Sequence, residues 1–206
     1  MAAALTAVAG TAPAQDTPAF EPTPIVARGV LQSLEFTPMT SSERLRHYLT
    51  GTFGPGSFAT AVAHAGLDQL RESPTEWGQD GGAFAQRLGN AYAKHAIRGT
   101  LEYGASSALH QDDRYFASGE TGFWRRTKYA IASVFLARRD DGQRTFATAR
   151  IGSAAGTAFI SRAWQPASTS GAGNAASSFG FTIASDLGTN VIREFWPDLK
   201  RRFHRN

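Results

Sequence analysis

Apolar and polar residues recur along this 206-residue chain with a helical rather than a strand period. The clearest case begins at Asp80. Gly81, Ala85, Gly89 and Ala93 fall four apart and stack along one side of a helix, while Arg87, Lys94, Arg98 and Glu102 fall on the far side. That spacing predicts a long helix that delivers His110, Asp112, Asp113 and Arg114 together at its C-terminal end. Upstream, Thr40-x-x-Glu43 has the form of a capping box and opens a helix closed by Gly51, Gly54 and Pro55. A second helix fits 56–72, and 73–80 reads as a turn holding Trp77. Downstream come a connection at 114–121 and the run 122–139, closed by Asp140-Asp141-Gly142. A helix over 143–164 follows, then a Pro, Ser and Gly loop, and a last helix over about 173–195 that Pro197 breaks. No strand alternation of comparable length appears. The expectation is a mostly α, single-domain bundle of about five or six helices over residues 40–196, with a basic tail at 197–206.

Small residues mark three of these helices. Beside Gly81/Ala85/Gly89, the last helix carries Ala172, Ala176, Gly180, Ala184 and Gly188, and the fifth carries Thr148, Gly152 and Gly156. A glycine inside a helix costs about 1 kcal/mol against alanine, so repetition on one face points to packing, within the chain or between copies. A membrane span needs roughly 20 predominantly apolar residues. The charge-free stretch 163–185 contains too much Ser, Asn and Gln, and 129–137 is too short. Phe123 and Trp124 beside Arg125 and Arg126 are instead the ingredients of a helix lying at a membrane surface, or of a core helix with solvated ends. The tail from Lys200 to Arg205 could touch anionic lipid or simply be hydrated.

Composition narrows the classes. Hydrophobic residues make up 42% and mean hydropathy is −0.28, a globular balance. Cysteine is absent, which excludes disulfides and thiolate metal sites. Net charge is +4, with lysine only at 94, 128 and 200, so the basic character is arginine. Arginine suits phosphate and carboxylate contacts, and it is equally what a GC-rich coding sequence supplies. Met1 to Val8 is apolar and small, and Ala12-Pro13-Ala14 has the small-x-small form of a signal-peptidase site. Residues 1–14 therefore read as the remnant of an export signal. Residues 15–39, with Pro18, Pro22, Pro24 and Pro38, read as an arm or linker holding a short extended piece from Ile25.

His110, Asp112, Asp113 and Arg114 are the candidates for chemistry. Imidazole beside carboxylate makes a base with its orienter or two ligands of a metal, and arginine beside aspartate equally makes a structural ion-pair cluster. The remaining histidines, 47, 64, 95 and 204, show no i, i+4 pairing of a zinc helix. No metal or other cofactor is implied. Nucleophile-elbow, dinucleotide and Walker patterns are missing, and export argues against nucleic acid.

The run HQDDRYFASGETGFWRRTKYA, followed by RTFATARIGSAAGTAFISRAW, resembles a family of exported helical bacterial envelope proteins of unknown function. The matching positions are His110, Asp112, Arg114, Tyr115, Phe116, Gly122, Phe123, Phe146, Ala147, Ala149 and Arg150, within a likeness covering about 50–165. The resemblance implies an envelope protein and carries no activity. Three functional expectations follow. The first is a non-enzymatic protein at the outer membrane of a Gram-negative bacterium, self-associating through Gly/Ala stripes or touching a membrane surface. The second is a periplasmic hydrolase or lipid-modifying enzyme at His110–Arg114, and the third a soluble periplasmic bundle awaiting a partner.

Overall fold

The computed structural model describes residues 36–203. The expected signal remnant and most of the Pro-rich arm, with its extended piece, lie outside the described residues. In chain order the elements are α1 (Ser41–Phe53), α2 (Pro55–Leu70), a 3-10 turn (Thr75–Trp77), α3 (Gly81–Ala108), β1 (Gln111–Asp112) and α4 (Phe123–Phe135). They continue with β2 (Leu136–Arg139), β3 (Arg144–Phe146), α5 (Thr148–Ile160), a second 3-10 turn (Ser161–Ala163) and α6 (Ala172–Phe203). The mostly α bundle expected from the periodicity is what forms.

Caps set the starts. The Glu43 amide donates to Thr40 Oγ1 at 3.3 Å and the Thr40 amide to Glu43 Oε2 at 2.8 Å, the reciprocal pair foreseen in the sequence. Asp80 Oδ1 accepts the Ala83 amide at 2.7 Å and opens α3. The hub is α3, against which α1, α2 and α5 pack, while α6 packs on α4 and α5. The α1–α3 crossing is close at Gly99, where an added Cβ would meet Thr52 Oγ1 at 2.2 Å.

Three expectations need correction. The run 122–139 is not one helix: α4 ends at Phe135, and the chain extends into β2. Residues 144–146, which the helical period assigns to the fifth helix, form β3, which pairs antiparallel with β2 in the register Leu136↔Phe146, Ala137↔Thr145 and Arg138↔Arg144. The turn uses Gly142 at φ +81°, a conformation that Asp-Gly supplies cheaply. β1 adds to the outer edge of β2, Gln111 opposite Arg139. Lastly, Pro197 does not break the last helix, which runs 32 residues to Phe203 and absorbs part of the basic tail. Proline removes the amide that would bond the Arg193 carbonyl. Arg126 donates to the neighbouring Glu194 carbonyl at that point, which supplies a donor beside the interrupted ladder.

The distribution of polarity is unusual for a water-exposed bundle. Among the described residues the buried apolar side chains are alanines, with only Met39 and Val134 added. Arg87, Asp112, Asn190 and Glu194 are buried with them. Many large apolar residues lie outside, from Leu49 and Phe58 through Trp124 and Phe159 to Trp196 and Phe203, while others such as Leu88, Ile97, Ile183 and Leu187 are half-buried. Scattered exposed leucines need no explanation, whereas buried charges combined with an apolar exterior do.

Candidate functional site

The inward face of α3 carries the charged side chains Arg87, Lys94, Arg98 and Glu102, and the outward face carries the Gly/Ala stripe. Arg87 is fully buried and closes the α2–α3 connection: it donates to the carbonyls of Ser73 (3.0 Å), Pro74 (2.9 Å) and Gly78 (2.9 Å) and to Gln69 Oε1 (2.6 Å). One turn on, Asn90 Oδ1 accepts from Trp164 Nε1 (2.9 Å) and Gln165 Nε2 (2.6 Å).

Arg98 forms a bidentate pair with Asp186 of α6 at 3.0 and 2.5 Å, and its Nε lies 3.9 Å from Glu102. Glu102 in turn lies 3.4 Å from Arg150 Nε, and Arg150 donates to the carbonyls of Ser133 (2.8 Å) and Asp113 (2.7 Å). Burial alone would lower the Arg98 value; the hydrogen bond and charge of Asp186 more than offset it and hold the guanidinium above its ordinary value. Glu102 goes the other way: burial lifts it above the usual carboxylate value despite both arginines.

This chain of charges lines a cavity of about 200 Å³, together with His47, His95 and Asp113. A second cavity of about 420 Å³ lies between α2, α3, α5 and α6 and shares His95 and Arg98 as its wall. Burial lowers Lys94 and His64 in it and raises Asp68. Its lining is otherwise rich in hydroxyls, Thr157, Ser161 and Ser178 among them. The interior is therefore polar along most of α3.

The four residues expected to act together at the end of α3 are dispersed. His110 adopts φ +53° just past the helix end, lies exposed, and places Nδ1 3.1 Å from Asp140 Oδ2. Asp140 also accepts from Arg44 at 3.2 Å. Asp112 is buried and spent on Arg114, whose backbone amide, Nε and Nη2 reach it at 3.0, 3.0 and 2.6 Å. Arg114 also donates to the Thr37 carbonyl. Only Asp113 faces the smaller cavity, 3.7 Å from His47. The base-and-orienter pair of His110 with Asp112 does not form. Among the described residues no imidazole is hydrogen-bonded to a hydroxyl, and no group of three or more His, Cys, Asp or Glu side chains is placed to hold an ion.

The strongest polar cluster was not foreseen. Glu194 of α6 accepts from Ser118 Oγ (2.5 Å), the Ser118 amide (3.0 Å), Tyr115 OH (2.6 Å) and Arg126 Nε (3.0 Å). Burial pushes its carboxyl up, and these four donors outweigh that and hold it below the usual value. Tyr115 is raised, by burial and then by its bond to Glu194. Arg126 bonds Asp198 as well, so it points inward while Phe123, Trp124 and Arg125 remain exposed. A single glutamate acceptor 68 residues from its arginine carries no signal in spacing.

The small-residue positions are placed outward. Gly81, Ala85, Gly89, Gly152, Ala176, Gly180, Ala184 and Gly188 are exposed, and a Cβ built on any of these glycines meets nothing within 4 Å. Gly156 alone among them packs internally, with a built Cβ 3.3 Å from Leu101 Cδ1. The close approach inside the chain uses Gly99, which belongs to no stripe.

No family model matches the chain. No curated protein and no solved structure matches it either.

Proposed function

We propose that the protein is a non-enzymatic helical component of the cell envelope, exported and held at the outer membrane, whose apolar exterior is covered by lipid and by further copies of itself. The observation that carries this reading is the inverted polarity of the bundle. Its buried apolar side chains are almost all alanine, its interior holds the Arg98–Asp186 and Glu102–Arg150 pairs, and Phe58, Trp124, Phe159, Trp196 and Phe203 lie outside. In water such an exterior loses the hydrophobic stabilisation that burial of those side chains would bring, about 25 cal/mol per Å². Against lipid or another copy it does not. No described helix is long and apolar enough to cross a membrane, so the association proposed is with a surface. The outward Gly81/Gly89 and Gly180/Gly188 rows are open ground on which a second helix could approach closely.

The hydrolase alternative has less support: Asp112 and Arg114 satisfy each other, His110 pairs with Asp140, and of the four residues only Asp113 faces a cavity. Light scattering of the purified chain tests the envelope reading. It should be polydisperse or oligomeric in plain buffer and become a defined species in mild detergent. A monodisperse monomer without detergent contradicts it and favours the soluble partner-binding bundle.

A further inference from the structure

Two stretches that are about 70 residues apart in sequence meet at one end of the molecule. The first turns of α4 lie on the last turns of α6: Phe123 stands 5.3 Å from Phe195, ring to ring, and Arg126 reaches both Glu194 and Asp198. On α6, Ile192, Trp196, Leu199 and Phe203 recur at i, i+4, i+7 and i+11 and so form one line along the helix. They are exposed by 58, 49, 40 and 78%. On α4, Phe123 and Trp124 are exposed by 60 and 72% and contact each other edge to face.

The exposed charges around this apolar line are predominantly basic. Arg193, Lys200 and Arg202 on α6 and Arg125 and Lys128 on α4 are exposed. Lys200 lies over the Trp196 ring at 5.6 Å, its stem along the apolar line. The two acids of the same stretch of α6 are already engaged, Glu194 by Arg126 and Asp198 by Arg126 and Arg201; Glu120, on the approach to α4, is the nearest other acid in sequence. A second copy is a poor occupant, because a two-fold contact would bring the same rows of Arg and Lys face to face. An anionic bilayer matches both parts: its headgroup boundary accepts Trp and Phe, and its phosphates accept the guanidinium and ammonium groups.

We infer that this end of the molecule is a docking surface for an anionic membrane, with Trp124, Trp196, Leu199 and Phe203 entering the boundary between headgroups and acyl chains, and Arg125, Lys128 and Arg202 on the phosphates. The inference rests on the proposed membrane association and adds to it which face is used and which lipid charge is recognised.

The test uses the full chain with vesicles of phosphatidylcholine alone and of phosphatidylcholine with phosphatidylglycerol, both with acyl chains brominated to quench nearby tryptophan. Of the four tryptophans, Trp124 and Trp196 lie on this docking face, whereas Trp77 lies in the first 3-10 turn and the exposed Trp164 directly follows the second. The expected result is flotation and quenching with the anionic vesicles and little of either with phosphatidylcholine. The W124F/W196F variant should still float but lose the quenching. The R125Q/K128Q variant, altered at exposed positions only, should bind roughly thirtyfold more weakly, at about 1 kcal/mol for each basic group near the bilayer. Quenching that persists in W124F/W196F overturns this face while leaving the envelope reading intact. Equal binding to both vesicles overturns the charge recognition. A chain that binds neither vesicle overturns both readings, and a dimer in buffer that W196E/F203E dissolves assigns the face to a second copy instead.

Discussion

Glu194 shows how single residues hold this bundle. Its carboxylate joins the β1–α4 connection, α4 and α6 through four donors, and it is buried. Because its folded value lies below the ordinary carboxylate value of 4.5, its contribution is fully present above that pH and is lost as pH falls through the folded value. Glu194→Gln should therefore cost about 3 kcal/mol at pH 7, since a buried charge-assisted network loses one partner. It should also flatten the fall in stability below about pH 4.5. Urea unfolding at pH 7 and pH 4 checks this, and an unchanged midpoint at pH 7 would contradict it. The arginines make a related point. Arg44, Arg87, Arg114, Arg126 and Arg150 each donate to backbone carbonyls, so much of the arginine content serves the fold rather than a ligand. The charge at His110–Arg114 was visible in the sequence, but its pairing was not. Asp112 takes Arg114 two residues on, whereas His110 takes Asp140 from the end of the neighbouring strand, 30 residues away, and no spacing rule reaches that far.

At the scale of elements, the helices were legible because their signals are local: the Thr40–Glu43 box, Pro55 at the start of α2 and the period of α3. The hairpin was missed although Asp141-Gly142 stands between its strands, because β2 and β3 have only four and three residues and continue directly from or into helices. With so few positions, alternation gives no usable period. The stripes were legible as faces, but the side they face was not, since a helical wheel separates two sides without saying which is inside. That distinction is measurable. Gly89→Ala, at an exposed helical site with no neighbour, should stabilise by up to about 1 kcal/mol. Gly99→Ala drives a Cβ into Thr52, which is buried, and should cost about 2 kcal/mol. Thermal unfolding of the two variants side by side, in detergent where the chain is monomeric, reads the sign, and destabilisation of that monomer by Gly89→Ala would place the stripe in a packed interface within the chain.

For the whole molecule the sequence indicated class and content but not the inversion. Charged residues at helical spacing ordinarily mark a solvated face, and here the Arg87–Glu102 row lines the interior while many large apolar residues face out. The exchange makes sense where the surroundings are less polar than water. Such surroundings let outward Trp, Phe and Leu keep their burial, while the ion pairs satisfy each other inside. The envelope reading stands or falls on what the native protein is found with. Fractionation of cells expressing the full chain, followed by washing of the membranes with high salt and then carbonate, is the most direct measurement. The account expects the protein to remain in the washed outer-membrane fraction, whereas its recovery as a soluble periplasmic monomer would contradict the central claim.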